Sequence, residues 1–225
     1  KDHLKLIAKE LISIHIPSIS RNDDGEKALL IMDENRVSHL AVVDNGEYHG
    51  LISDTEIYDL EDTFVPINKL KPILINPSVK QYDYIYDILG IFAENNITAL
   101  PVLDDNEQYI GVIGQEQIVK ALRKITNANE PGGVIVLGLN VRDYSMVQVA
   151  QIVESEGAKI LSAYTSSQEN SLKMDLVLKI NKSDLSPLIA SFDRFNYEIK
   201  ASFHESAHEE DLQSRYDQFL KYLNI

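Results

Sequence analysis

Val37-Ser-His-Leu-Ala-Val-Val-Asp44 and Ile97-Thr-Ala-Leu-Pro-Val-Leu-Asp104 are two versions of one stretch, and their repetition decides the fold. Similarity at a fixed offset outranks local signals, because it means that the chain builds one supersecondary unit twice. Working outward at that offset, Ser18 meets Ser78, Asp23 meets Asp83, Leu29 meets Leu89 and Ile31 meets Ile91. Glu34-Asn35 meets Glu94-Asn95, and Leu40 and Asp44 meet Leu100 and Asp104. After one residue inserted in the second copy, Gly50 meets Gly111, Ile52 meets Ile113, and Ile57 meets Ile118.

Both copies share one pattern. Apolar residues at three- and four-residue intervals predict helices over Glu26 to Glu34 and Tyr84 to Glu94. A strand follows each, from Ser38 to Val43 and from Thr98 to Leu103. The turns Asp44-Asn45-Gly46 and Asp104-Asp105-Asn106 lead into strands at Tyr48 to Ile52 and Tyr109 to Ile113. Asn-Gly is a strong hairpin signal, since both residues accept positive φ. A short helix closes each copy. Between the copies, Pro66, Pro72 and Pro77 interrupt regular structure and mark a linker.

At these residues the chain resembles the CBS-domain family. The matching pattern is the helix, then Val37 to Asp44, then Gly50-Leu-Ile-Ser-Asp-Thr-Glu56; the second copy ends in Gly111-Val-Ile-Gly-Gln-Glu-Gln117. The resemblance covers Leu11 to Lys124. It implies two repeats (helix, strand, strand, helix) packed about a pseudo-twofold axis, with two clefts between them that often bind adenosine-containing ligands. AMP, ATP and S-adenosylmethionine are the regulatory ligands it suggests.

From Pro131 the pattern changes. A buried strand through Val141 precedes a helix over Ser145 to Glu156, which stops at Gly157, a residue suited to the left-handed end of a helix. Strands are predicted over Ala158 to Thr165 and Leu172 to Ile180. A helix over Asp184 to Phe195 tolerates Pro187 in its first turn, and Tyr197 to Phe203 closes the unit. This order is the split βαβ arrangement. It is similar to an ACT domain, most closely at Glu154-Ser-Glu-Gly-Ala-Lys-Ile160. That resemblance implies sheets paired into dimers and an amino acid held near the first strand-to-helix turn. Here that turn reads Arg142-Asp-Tyr-Ser-Met146, without the glycine usual in the family.

The fold class is therefore α+β: two CBS repeats and a C-terminal ferredoxin-like, ACT-like βαββαβ domain. The expected divisions are residues 1–66 (an N-terminal helix and the first repeat), 67–126 (the second repeat), 131–205 (the ACT-like domain) and 206–225 (an amphipathic helix). Leu212, Tyr216, Phe219, Leu220 and Leu223 form the apolar stripe of that helix. A homodimer built by the ACT-like domain is expected, with this helix either joining the interface or packing its stripe on its own sheet.

Ser53 and Glu56 are the leading candidate site residues. In CBS domains a Ser or Thr here, with Asp three residues on, commonly meets phosphate and the ribose diol. A carboxylate can accept from two hydroxyls, and a helix N-terminus favours anions. The plainer reading of Ser53-x-x-Glu56 is a capping box, and it is the preferred one. Glu56 is also one methylene longer than the family's Asp. In the second copy Gly114 and Gln117 hold the two positions. His39 and Ser18 complete the candidate ligand set, although a histidine at a strand start is more often packed or hydrogen-bonded to backbone. Ligand binding thus stands beside a second possibility, an adaptor whose clefts are ligand-free.

His204-Glu205-x-x-His208 matches a zinc-hydrolase string. That chemistry needs both histidines on one helix face, whereas Ser206-x-x-Glu209 places a helix start between them. No catalytic or metal residue is assigned. Phosphate-binding glycine loops and the Gly-x-Ser-x-Gly nucleophile string are missing. The 225 residues carry no cysteine, which excludes disulfides and thiolate metal sites and fits a reducing cytoplasm. A net charge of −14 repels nucleic acid and anionic lipid, so neither is an expected partner. The Lys1 to Ile12 stretch has helical spacing and does not read as a signal peptide.

Overall fold

The computed structural model describes residues 6–69, 76–167 and 172–204. It divides into two compact units, residues 1–122 and 123–225.

In the first unit, α1 (Gly25–Asn35) begins at Asp24, whose carboxylate accepts from the Lys27 amide, and ends at Arg36 in the left-handed conformation (φ 54°). The antiparallel pair β1 (His39–Asp44) and β2 (Glu47–Ser53) follows, joined through Asn45 and Gly46, both at positive φ as the Asn-Gly signal requires. The short α2 (Asp54–Tyr58) completes the first repeat. The second repeat runs β3 (Val79–Lys80), α3 (Ile85–Asn95), β4 (Ala99–Leu103), β5 (Tyr109–Gly114) and α4 (Gln115–Ile125).

The copies agree in detail. Val79 pairs in parallel with Val102, as Ile19 bridges Val42. A bulge falls between Val42 and Val43 and again between Val102 and Leu103, facing Gly50 (φ 139°) and Gly111 (φ 151°). A bulge bends and twists its strand, and glycine alone takes such backbone angles freely. Ile19, Leu40, Ile52 and Ile57 fill the first core, and Val79, Leu100, Ile113 and Ile118 are their buried counterparts.

The N-terminal stretch departs from its helical spacing. Among residues 6–12 only a 3-10 turn forms, Ala8–Glu10. Its amides are taken by the second repeat: Ala8 N donates to Asp83 O and Lys9 N to Gln81 O, while Ile85 N donates to Leu6 O. The 3-10 turn Ile67–Lys69 does the converse, with Ile67 N donating to Asp23 O and Asn68 N to Arg21 O. Each repeat is therefore completed by the segment that precedes the other. Partners in the other repeat for these backbone groups replace the intrahelical bonds that a longer helix would have made.

The second unit has the order β6 (Gly133–Asn140), α5 (Met146–Ser155), β7 (Ile160–Ser167), β8 (Lys173–Ile180), α6 (Ser186–Arg194) and β9 (Glu198–Phe203). The strands form one antiparallel sheet in the order β7-β8-β6-β9, the split βαβ topology. Alternate residues Ile135, Leu137 and Leu139 face Leu176, Leu178, Val149, Ile152, Val153, Leu188 and Phe192 in one core. Ser145 caps α5 through the Gln148 amide, and Gly157 (φ 63°) follows its end. The C-terminal segment 206–225, Glu205 and His208 lie outside the described residues.

Candidate functional site

The first unit contains a cavity of about 270 Å³ at the second repeat. Three separate stretches build its wall. Ser13, His15 and Ile16 come from the segment that crosses to the second repeat, and Ser13 N donates to Val112 O of β5. Asn35, Arg36 and Val37 come from the end of α1. Thr98, Gly114, Gln115, Glu116 and Gln117 come from β4, β5 and α4 of the second repeat.

The wall is mixed in character. Arg36 is presented from a helix end, and no carboxylate pairs with it among the described residues. Glu116 is engaged elsewhere: the Lys120 ammonium one helical turn on bonds it and holds its carboxyl below the usual range. Ser13, Thr98 and the side-chain amides of Asn35, Gln115 and Gln117 provide neutral donors and acceptors. Gly114 leaves room here for two side-chain ends. A Cβ on it would stand 2.7 Å from Ile16 Cδ1 and 3.0 Å from Gln117 Oε1, the atom that accepts from the Gly114 amide. Ile16 thus fills the space into which a family-type hydroxyl would project.

At the first-repeat position, Ser53 and Glu56 satisfy one another. Glu56 Oε2 accepts from the Ser53 amide at 2.7 Å and from its hydroxyl at 2.8 Å, and Ser53 Oγ accepts from the Glu56 amide at 3.2 Å. This is the full capping box. Residues 72–75, which match Ile12 to His15 by the repeat, lie outside the described residues. Of the sequence candidates, Gln117 lines the cavity. Ser18 is half-buried, precedes the buried Ile19 and is not among the wall residues. His39 stands behind the wall: its Nδ1 lies 3.2 Å from Thr98 Oγ1 and accepts from the Thr98 amide at 3.3 Å. Burial pushes its pKa below 6.5, against the opposing pull of Asp54 and Glu56. Sequence reasoning missed Ser13, His15 and Arg36. Arg36 looked like the end of a helix, and the other two have no counterpart motif.

The second unit holds its own cavity, of about 400 Å³, beside the first strand-to-helix turn. Asn140, Asp143, Gln148, Lys173, Tyr197 and Lys200 contribute polar groups to it. Tyr197 donates to Gln148 Oε1 at 2.8 Å, and Asn140 Nδ2 to Asp143 Oδ2 at 2.8 Å. Gly138 of β6 also lines this cavity. Among the described residues no cluster of His, Asp or Glu could hold a metal ion, and no helix is long and apolar enough to cross a membrane.

With the exchanged segments and the cleft between equivalent elements in place, the class of the first unit follows. Residues 8–61 and 71–124 each match the CBS domain model, so this part of the chain is a tandem CBS-domain pair. Among curated relatives, a homoserine O-acetyltransferase of Methanosalsum zhilinae is 27% identical over 120 residues, covering 52% of this chain and 24% of that protein. An inosine-5'-monophosphate dehydrogenase of Methanocaldococcus jannaschii is 22% identical over 152 residues, covering 66% of this chain and 30% of that protein. The chain therefore spans less than a third of either relative. Among solved structures, a CBS domain pair/ACT domain protein from Thermotoga maritima is 22% identical with a TM-score of 0.46, covering 52% of this chain and 95% of that one.

Proposed function

We propose that this protein is a regulatory sensor of adenosine-containing nucleotides, and that the ligand binds in the second-repeat cleft. The observation that carries the reading is the cavity of about 270 Å³ walled by Arg36, His15, Thr98 and Gln117. One unpaired guanidinium suits one phosphate, while hydroxyl and amide groups suit a ribose and a base edge. One arginine in the cavity wall, in a chain of net charge −14, favours a monophosphate over a triphosphate. The second unit is proposed as an ACT-like module on its strand order, and the working form as a homodimer. Coupling between ligand and assembly needs a ligand that distinguishes two states, typically by ~1–3 kcal/mol. No catalytic step is assigned to the chain.

The test is a thermal-shift series with adenosine, AMP, ADP, ATP and S-adenosylmethionine. AMP at tenfold its Kd adds ~1.4 kcal/mol, a melting shift of roughly 4–8 °C for a unit of this size. Arg36→Ala abolishes the preference for AMP over adenosine. A shift that survives Arg36→Ala but is lost in Glu56→Ala moves the site to the first repeat. A flat melting temperature across all five compounds overturns the sensor and favours the adaptor, to which Gly114 and the closed Ser53–Glu56 pair are also suited. Light scattering of a monomer at micromolar concentration overturns the dimer.

A further inference from the structure

We propose that His39 is a protonation-sensitive latch between the two repeats, positioning Thr98 in the wall of the second-repeat cleft so that ligand binding there weakens as pH falls. This rests on the nucleotide reading of that cleft, but the latch itself stands on hydrogen bonds in the free protein.

Ser38 and Thr98 are equivalent residues, and each carbonyl accepts from the first amide of the helix that closes its own repeat: Asp54 N to Ser38 O and Gln115 N to Thr98 O. Across the repeats the tie is one-sided. Ser38 N donates to Thr98 Oγ1 at 2.8 Å. Having accepted that proton, the threonine hydroxyl has its own proton to give, and His39 Nδ1 stands 3.2 Å away. Thr98 N also donates to the same nitrogen, at 3.3 Å. Nδ1 is therefore an acceptor for two donors of one residue, which places the neutral ring's proton on Nε2. The residue equivalent to His39 is Ala99, so nothing reciprocates.

A proton on Nδ1 reverses this arrangement. The nitrogen becomes a donor, the Thr98 amide loses its acceptor, and the hydroxyl must turn away from the ring. A backbone N–H stranded in a half-buried site is costly, so Thr98 shifts to find another partner. Thr98 is a cavity wall residue, so the shift reaches the ligand. The charged groups acting on the ring are Asp54 and Glu56, both from α2, while Ser53 opposes His39 in β2 and β4 brings only uncharged side chains. Burial outweighs those two carboxylates, keeping the ring neutral at pH 7 and placing its titration below the ordinary value of 6.5.

Two measurements between pH 7.5 and the acid limit of the folded protein, with the His39 ring titration followed alongside, test the proposal, each on the wild type and on His39→Asn. Asn carries an acceptor oxygen near the place of Nδ1 and does not titrate. In the absence of ligand, amide hydrogen exchange corrected for intrinsic rates is expected to show Thr98 losing protection in the wild type and keeping it in His39→Asn. With AMP as the probe, calorimetry is expected to give a Kd about fivefold weaker at the lower pH in the wild type, the loss of roughly one hydrogen bond. His39→Asn removes that latch-linked change; the second ionisation of the phosphate itself, near pH ~6, is common to both proteins. Thr98 protection that is independent of pH in the wild type overturns the latch, and so does an equal loss of affinity in both proteins. If AMP fails to bind at any pH, the cleft reading fails, and the exchange measurement still decides the latch. Should His39→Asn not fold, the ring titration followed by NMR in the wild type decides it: Thr98 amide shifts that do not track the ring overturn the proposal.

Discussion

Exchanging one hydrogen for a methyl group at two glycines should move stability in opposite directions. Gly111 lies in β5 at φ 151°, and a Cβ there would overlap Ile12 Cγ2 and crowd Ile12 Cδ1 and Cγ1 at 3.2 and 3.3 Å. Cγ2 is bonded directly to Cβ, so rotation of the side chain cannot clear all three atoms. A backbone conformation that only glycine takes easily costs ~1–3 kcal/mol in another residue, and overpacking adds ~1–3 kcal/mol. Gly111→Ala should then lose about 2–5 kcal/mol, a large part of the ~5–15 kcal/mol typical of a domain. At roughly 3–6 °C per kcal/mol for a unit of this size, its melting transition falls by about 6 °C or more. Gly90 sits inside α3 with nothing within 4 Å of its Cβ position. Gly90→Ala should gain ~0.5–1 kcal/mol from helix propensity and a less disordered unfolded chain. Differential scanning calorimetry of both variants, and of Gly111→Ala with Ile12→Ala, checks the reasoning. The double variant removes the overlapping atoms and should recover the packing part of the loss, leaving the backbone strain. A Gly111→Ala protein that melts within about 1 °C of wild type would refute the placement of the N-terminal segment against the second repeat.

Ser53→Ala removes the hydroxyl from the capping box and should cost ~1 kcal/mol in chemical denaturation; no loss would mean that the cap at α2 is idle. Because the folded pKa of His39 is depressed, the unfolded chain takes up its proton first. The stability this residue contributes is complete above about pH 6.5 and falls as pH drops from there through the folded pKa. Urea midpoints from pH 7.5 to 5.5 should show that loss, and His39→Asn should remove its share; an identical loss in both proteins would contradict it. Metal analysis of the purified chain is expected to find no stoichiometric zinc, because the Ser206-x-x-Glu209 pattern in the sequence predicts a helix start between His204 and His208. About one zinc per chain, lost in His204→Ala, would revive the hydrolase reading.

Much of this protein was legible as a line of residues. The offset between Val37-Ser-His-Leu-Ala-Val-Val-Asp44 and its second copy determined that one unit is built twice. The alternation in β6 and β8 and the three- and four-residue spacing in α5 and α6 determined the order of the second unit. These signals are local, since side-chain direction along a helix or strand follows from backbone geometry alone. The Ser53–Glu56 box was equally readable, because capping partners are three residues apart. Tertiary structure alone decided which repeat each leading segment completes, because two repeats of one backbone design offer similar docking surfaces and the choice is made by packing, such as Ile12 against Gly111. It also decided the cleft. Ser13, Arg36 and Thr98 share no motif and are brought together only when those segments cross over. His39 gained its role the same way, from an asymmetry, His39 against Ala99, that the repeat places at the seam between its halves. Bonds between residues so far apart in the chain form only after the loops between them close, and that closure is set by the whole core rather than by any window of sequence.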